Sequence, residues 1–238
     1  MNPPVLEFAG VTKHFGSLRP LRVADLRVAS GQRTAIVGLD RPSAEVFVNL
    51  ATGATLPDAG DVTLLGRRTS AITDSGDWLA TVDRVGIVSE RAVLLDRFTV
   101  IQNLAMPFTL DLEPPPPAER ARAEALAREV GLDEPAWTPP LSQLDANAAM
   151  RVRLGRAVAL DPAVLLLEHA SASLPRAAAA AFAATVRAIA AERGIAVVAL
   201  TADEPFARAL DGMVLIHEAA SGRLKESGGG WFAARRRR

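Results

Sequence analysis

The chain of 238 residues contains no cysteine, which excludes both a disulfide framework and a thiolate metal site. Histidine is scarce: His14, His169 and His217 are scattered without ligand spacing, so a histidine metal cage is not expected. Net charge is missing as well, because 27 Lys and Arg balance 27 Asp and Glu. A dedicated nucleic-acid binder would carry a basic excess, so nucleic acid is not an expected partner. No apolar run reaches the roughly 18 residues that a membrane-spanning helix needs. The opening "MNPPVLEFAG" lacks a basic segment followed by an apolar one, and no signal peptide is read there. A cytoplasmic location is expected.

What the chain does have is apolar material, 49% of residues, enough for a packed core rather than wholesale disorder. Its length suits one large α/β domain, or a core with a small inserted lobe. "VLEFAGVTKHF" and "LRVADLRVAS" alternate apolar and polar residues, which predicts half-exposed antiparallel strands. "GQRTAIVG" carries a continuous apolar strand, a sign of burial on both faces. A helix over 43–52 follows, then a turn and short strand in "PDAGDVTLLG", and a buried strand in "RVGIVSE".

From Thr99 to Gln143 the pattern turns helical. "TVIQNLAMPFTL" has helical spacing, "EPPPPAER" interrupts it, and "AERARAEALAREVGL" is an amphipathic helix. The proline run reads as an exposed spacer rather than a proline-rich ligand motif. The core resumes with a helix through "AAMRVRLGRAVAL" and a buried strand "AVLLLE". An alanine-rich helix then ends at Gly194, where a glycine cap is expected. "IAVVAL", a helix over 204–210 and "GMVLIHE" complete a βαβα alternation, which implies a mostly parallel sheet covered on both faces. "GGGWFAARRRR" reads as a flexible tail.

In this order and spacing the segments resemble the nucleotide-binding subunit of an ATP-binding cassette (ABC) transporter, from about Leu6 to Gly228. The stretches that carry the likeness are "GQRTAIVGLD…VNLATGATLPDAGDVTLLG", "VGIVSERAVLLDRFTVIQNLAMP", "RLGRAVALDPAVLLLEHASASL" and "AVVALTADEPFARALDGMVLIHEAASGRLKESG". The resemblance implies an ABC-type P-loop NTPase fold. That is a mostly parallel α/β core (1–95 and 146–228), an N-terminal antiparallel β subdomain, an inserted helical lobe (96–145) and a tail (229–238). It also implies a place at the inner face of the membrane, held there by a partner.

The scaffold matches the family but the chemistry departs from it. A phosphate loop of this kind wraps phosphates with backbone N–H groups, a lysine and a metal-binding hydroxyl. Here Gly38 survives, the interior glycines become Arg41 and Ser43, the lysine position is Ala44, and the hydroxyl position is Glu45. Pro42 removes a backbone donor. Glu45 would put a negative charge where phosphate sits; two unit charges about 4 Å apart cost roughly 4 kcal/mol at an effective dielectric of 20. A helix N-terminus favours an anion, and the chain can supply its own with Asp40 as N-cap, Pro42 in the first turn and Glu45 close behind. An ordinary helix start fits these nine residues equally well.

The other family positions depart in the same direction. The metal- and water-sensing glutamine aligns with Glu90, and the signature sequence with Leu144, Asp145, Ala146, Asn147 and Ala148, which directs Asp145 towards a partner's phosphate. "LSQ" at 141–143 is an alternative only with a three-residue insertion before Arg156. The magnesium-organising aspartate becomes Glu168, the general base His169 and the switch histidine Ala202; the following loop ends in Pro175. Phe15 stands where an aromatic ring stacks on adenine, with packing beside a strand as the other reading.

No catalytic position is intact, so the expected function is a non-hydrolysing pseudo-ATPase that serves as structural or regulatory partner in a membrane transport complex. ATP and magnesium binding is expected to be slight or absent, and no metal site is assigned, Glu168 being the nearest to one. The expected partners are a membrane-spanning subunit and a second cassette, either a copy of itself or an active one. The alternative is an ATPase that uses unorthodox residues: Glu168 near a metal, and His169 as proton acceptor with a reference pKa of about 6.5. Arg235 to Arg238 could hold anionic lipid at about 1 kcal/mol per residue; a solvated tail is the other reading.

Overall fold

The computed structural model describes residues 4–16 and 19–227. The expected tail lies outside the described residues. Three strands open the chain: β1 (Pro4–Lys13), β2 (Leu21–Ala29) and β3 (Arg33–Val37). The first two pair antiparallel, with Phe8 opposite Leu26, and their alternation buries one face, as the sequence pattern predicts. After α1 (Arg41–Ala51), β4 (Ala59–Leu64) joins the other edge of β1, and the two-residue β5 (Arg67–Arg68) completes a sheet of order β2-β1-β4-β5.

The remaining elements are α2 (Ser75–Val82), β6 (Val85–Ser89), α3 (Val100–Ala105), α4 (Pro117–Glu129) and α5 (Ala146–Val158). They are followed by β7 (Val164–Glu168), α6 (Arg176–Arg193), β8 (Ala196–Thr201), α7 (Glu204–Ala209), β9 (Met213–Glu218) and β10 (Arg223–Glu226). The second sheet has the order β10-β9-β3-β8-β7-β6. Its pairings are parallel except the edge pair of β9 with β10.

β7 and β8 are buried along their whole length, so their apolar runs serve two cores at once. Leu165, Leu167, Val197 and Ala199 face the helices, where Phe182 and Phe206 stack at 6.3 Å. Val164, Leu166, Val198 and Leu200 face the other way, onto a cluster that holds Phe8 and Phe47 stacked at 4.4 Å. Truncating one such leucine to alanine costs about 2–5 kcal/mol.

Helix boundaries follow local chemistry. α1 begins two residues before the expected 43, because the Asp40 carboxylate accepts from the Ser43 N–H and Pro42 is tolerated in the first turn. α2 is missed by the sequence reading: it is short and none of its residues is buried, and it stands on the Asp74 cap and the Trp78 indole, which donates to Thr52 O at 3.0 Å. α3 is shorter than "TVIQNLAMPFTL" suggested, opening on a Thr99–Gln102 capping box and closing before Pro107, which has no N–H to give. α6 ends at Gly194, whose φ of 66° is the left-handed cap glycine favours. Between β6 and α5 the apolar face of α4, with Ala123, Leu126 and Ala127, packs towards α3. No helix among the described residues is long and apolar enough to cross a membrane.

Candidate functional site

The site forms where β3, β6 and β7 end together. The chain leaves β3 through Gly38 at φ 102°, where an added Cβ would lie 3.1 Å from the carbonyl oxygen of His217. Asp40 caps the helix that follows: its Oδ1 accepts from Ser43 N at 2.9 Å. The Ser43 hydroxyl and N–H hold the Asp40 carboxyl below its ordinary range. Ala44 is fully buried with Phe47 and Leu50 in the core cluster, so its methyl belongs to the core.

Arg91, two residues beyond β6, dominates the centre. Its Nε and Nη2 donate to Glu168 Oε1 and Oε2 at 2.9 and 2.6 Å, and its Nη1 donates to Glu45 Oε1 at 3.0 Å. Glu168 is only 6% exposed, whereas Arg91 is nearly half exposed. The Arg91 N–H is itself held by Ser89 Oγ at 3.1 Å. Bonding to Glu168, together with the charges of Glu168 and Glu45, keeps this guanidinium above its ordinary value despite partial burial.

This corrects the sequence-based electrostatics. Glu45 was expected to put a negative charge where phosphate would sit, next to the helix N-terminus; its carboxylate is bonded to Arg91 instead. Arg91 is missing from the sequence-based site because the resemblance gives a role to its neighbour Glu90 and none to Arg91 itself. The available signal was an arginine directly after a buried strand whose register partner ends in a carboxylate, Ser89 lying opposite Glu168.

A second bridge runs alongside. Arg41 Nη1 donates to Glu90 Oε2 at 3.0 Å, with most of the Arg41 side chain still in water. Ser173 and Arg41 pull the Glu90 carboxyl below its ordinary value. Arg41, Pro42, Glu45, Glu90, Arg91 and Glu168 line a cavity of about 180 Å³ between the two bridges.

His169 adopts φ 46° and its N–H donates to Leu200 O at 2.8 Å. Its imidazole is buried, and Nε2 has no hydrogen-bond partner; the nearby buried Ser171 hydroxyl has none either. Ala202 presents an exposed methyl group. Pro175 precedes α6. Phe15 is half buried against the cluster that contains Phe8. Among the described residues, no three carboxylate or imidazole groups gather closely enough to hold a metal ion.

The 144–148 stretch opens α5. Asp145, expected to face a partner's phosphate, has its Oδ1 at 2.8 Å from Ala148 N as the helix cap. Leu144 packs on the main core, Asn147 accepts from Arg151 Nε at 3.3 Å, Ala146 is exposed and Ala148 is buried.

No protein-family model matches the chain. Individual proteins do. The lipoprotein-releasing system ATP-binding protein LolD 2 of Caulobacter vibrioides is 32% identical over 225 residues, covering 92% of this chain and 96% of that protein. This chain belongs to the ATP-binding cassette family. The cassette is also 31% identical over 226 residues to the methionine import ATP-binding protein MetN of Leifsonia xyli, and 29% identical over 230 residues to MetN of Brucella abortus. It spans 65% and 60% of the length of those two relatives.

Among solved structures, the cassette matches a dimeric ATP-binding cassette in a post-hydrolysis state bound to ADP and Pi. The TM-score is 0.75 at 20% identity, over 94% of this chain and 99% of that one. CbiO1 of Clostridium perfringens matches with TM-score 0.77 at 17% identity, over 93% and 87% of the two chains. Likeness at these identities establishes the fold, the ABC nucleotide-binding architecture.

Proposed function

We propose that this cassette is a non-hydrolysing subunit of a membrane transport complex, a structural or regulatory partner rather than a motor. The observation that carries the reading is the Arg91 guanidinium, bonded at once to Glu168 and Glu45. These are the positions that the resemblance gives to the carboxylate and hydroxyl holding magnesium. A tethered cation already occupies the ground between them. The donors left for a triphosphate are few: Ser43 N–H is taken by Asp40, Pro42 has none, and Ala44 brings no ammonium. The residues present therefore do not suit bound magnesium and ATP, and no hydrolytic step is derived through them.

Removing one member of a buried ion pair costs about 3–5 kcal/mol. A metal ion would have to exceed a cost of that kind, lessened by the exposure of Arg91, before it could claim Glu168. In this reading the subunit docks against the membrane-spanning component through the groove between β6, α3 and α5. It pairs with a second cassette, a copy of itself or an active one.

The names of these relatives, ATP-binding proteins of import or release systems, favour a second reading more than the first. In that reading the cassette hydrolyses ATP, with Glu168 and His169 in unorthodox roles. Titration calorimetry with magnesium and ATP separates the two. Millimolar or undetectable binding, with no phosphate released, is expected. Micromolar binding with turnover lost in Glu168→Ala would establish the second reading and end the first.

A further inference from the structure

Two buried polar side chains play no part in the Arg91 clasp. His169 is 8% exposed and Ser171 4%, and neither His169 Nε2 nor Ser171 Oγ meets a hydrogen-bond partner. A buried polar atom left unpaired is costly, and two on one wall call for a group that completes both. Both line a cavity of about 450 Å³, which Arg176 on α6 and Asp203 ahead of α7 also border. That volume is within the range of small-molecule pockets, about 300–1,000 Å³, and far exceeds a bare ion. The cavity shares only His169 with the one beneath Arg91, and residues 38–46 contribute nothing to its walls.

The surroundings are rich in donors and short of acceptors. Pro175, which precedes α6, supplies no side-chain cap, and no acid stands in the first turn. The first helical bond runs from Ala179 N to Pro175 O at 2.9 Å. The N–H groups ahead of it, on Arg176, Ala177 and Ala178, therefore keep the positive end of an 18-residue helix uncovered. The Arg176 side chain is exposed and makes no ion pair among the described residues.

The acids nearby are occupied but still carry charge. Asp203 Oδ1 accepts from Phe206 N at 3.1 Å as the cap of α7. Asp40, within electrostatic reach of His169, caps α1. Two negative charges against one guanidinium penalise a dianion more than a monoanion, which favours carboxylate over phosphate. The remaining walls, Ala172, Leu174, Ala202 and Pro205, are apolar and small, and suit a short hydrocarbon tail.

We propose that this cavity binds a small aliphatic monocarboxylate. Its carboxylate accepts from His169 Nε2–H, the Ser171 hydroxyl and the first-turn N–H groups of α6, with Arg176 as the nearby cation. Its tail lies against Leu174 and Pro205. The site goes beyond the function proposed above and needs no part of it.

The test is an NMR titration of the full chain, without nucleotide and at constant ionic strength, with sodium butyrate, butanamide and sodium phosphate. Butyrate should shift the His169 side-chain nitrogens and the Ala177 and Ala178 amides along one saturating curve. It should bind at least about tenfold more tightly than butanamide, which has the same shape without the charge, and more tightly than phosphate. Ser171→Ala should lower butyrate affinity about tenfold while leaving the melting temperature of the free protein unchanged or raised, because it removes an unpaired hydroxyl rather than a bond. Arg176→Gln, on an exposed side chain, should weaken butyrate and leave butanamide alone. Equal binding by butanamide, tighter binding by phosphate, undiminished binding to Ser171→Ala, or no saturation by butyrate would each overturn the inference. ATP turnover is read separately: it would end the non-hydrolysing reading and leave the butyrate result standing, and failure of butyrate to bind would leave that reading untouched.

Discussion

Arg91 and Glu168 meet fork to fork: Nε lies 2.9 Å from Oε1 and Nη2 2.6 Å from Oε2, on a carboxylate almost wholly removed from water. The pair crosses from the end of β6 to the end of β7 and pins the loop that carries Glu90.

Removing half of this pair should therefore cost more than removing all of it. Arg91→Ala leaves Glu168 buried without its counter-ion and should lower unfolding free energy by about 2–3 kcal/mol, less than a fully enclosed pair because the guanidinium is partly in water. Arg91→Leu combined with Glu168→Leu should recover most of that loss. Urea midpoints of the single and double variants measure it; additive losses would remove the pair from the stability of the site.

Glu90 makes stability depend on acid. Its carboxyl is held below its ordinary 4.5, so the unfolded chain takes up this proton first as pH falls. The stabilisation is complete above about pH 5 and drains away as pH descends through the lower folded value. Glu90→Gln should be less stable than the parent at neutral pH and should show a flatter melting temperature between about pH 5 and pH 3. Parallel curves for the two proteins would contradict it.

Gly38 is expected to tolerate no side chain. Its φ of 102° is uncomfortable for other residues, and a methyl would press on the His217 carbonyl at 3.1 Å. Gly38→Ala should cost about 1–3 kcal/mol in thermal or urea unfolding. A neutral result would mean that β9 yields at this point.

Asn103 holds the approach to the helical lobe from within. It is fully buried, accepts from Leu95 N at 2.9 Å and donates to Leu95 O and Thr99 O, both at 3.0 Å. Asn103→Ala strands the polar backbone of Leu95, and each buried orphan costs about 1–3 kcal/mol. The expected loss is about 2–4 kcal/mol, with earliest hydrogen exchange at Leu95. Full protection of that amide in the variant would refute it.

The fold was legible where one physical pattern suffices. "AVLLLE" and "IAVVAL" announce strands buried on both faces, and the alternation of "LRVADLRVAS" announces a half-buried one. α2 was not legible, because Trp78, Leu79 and Val82 make a stripe of barely one turn in a helix of eight residues. The start of α1 was displaced by two residues because Asp40 and Pro42 set it rather than hydrophobic spacing. The centre of the site was least legible. Arg91 is 46 residues from Glu45 and 77 from Glu168, and no local pattern announces a partner at that separation. Reading the acids alone gave a repulsive loop; the structure has an acid–base–acid bridge.

A dissolved ion comes and goes with its supply, but a guanidinium on the backbone is present once per molecule for as long as the molecule lasts. The clasp that Arg91 makes is built from the chain itself, one guanidinium shared by two carboxylates. By joining Glu45 on α1 to Glu168 at the end of β7, that clasp ties the first helix to the central sheet through a side chain from the end of β6.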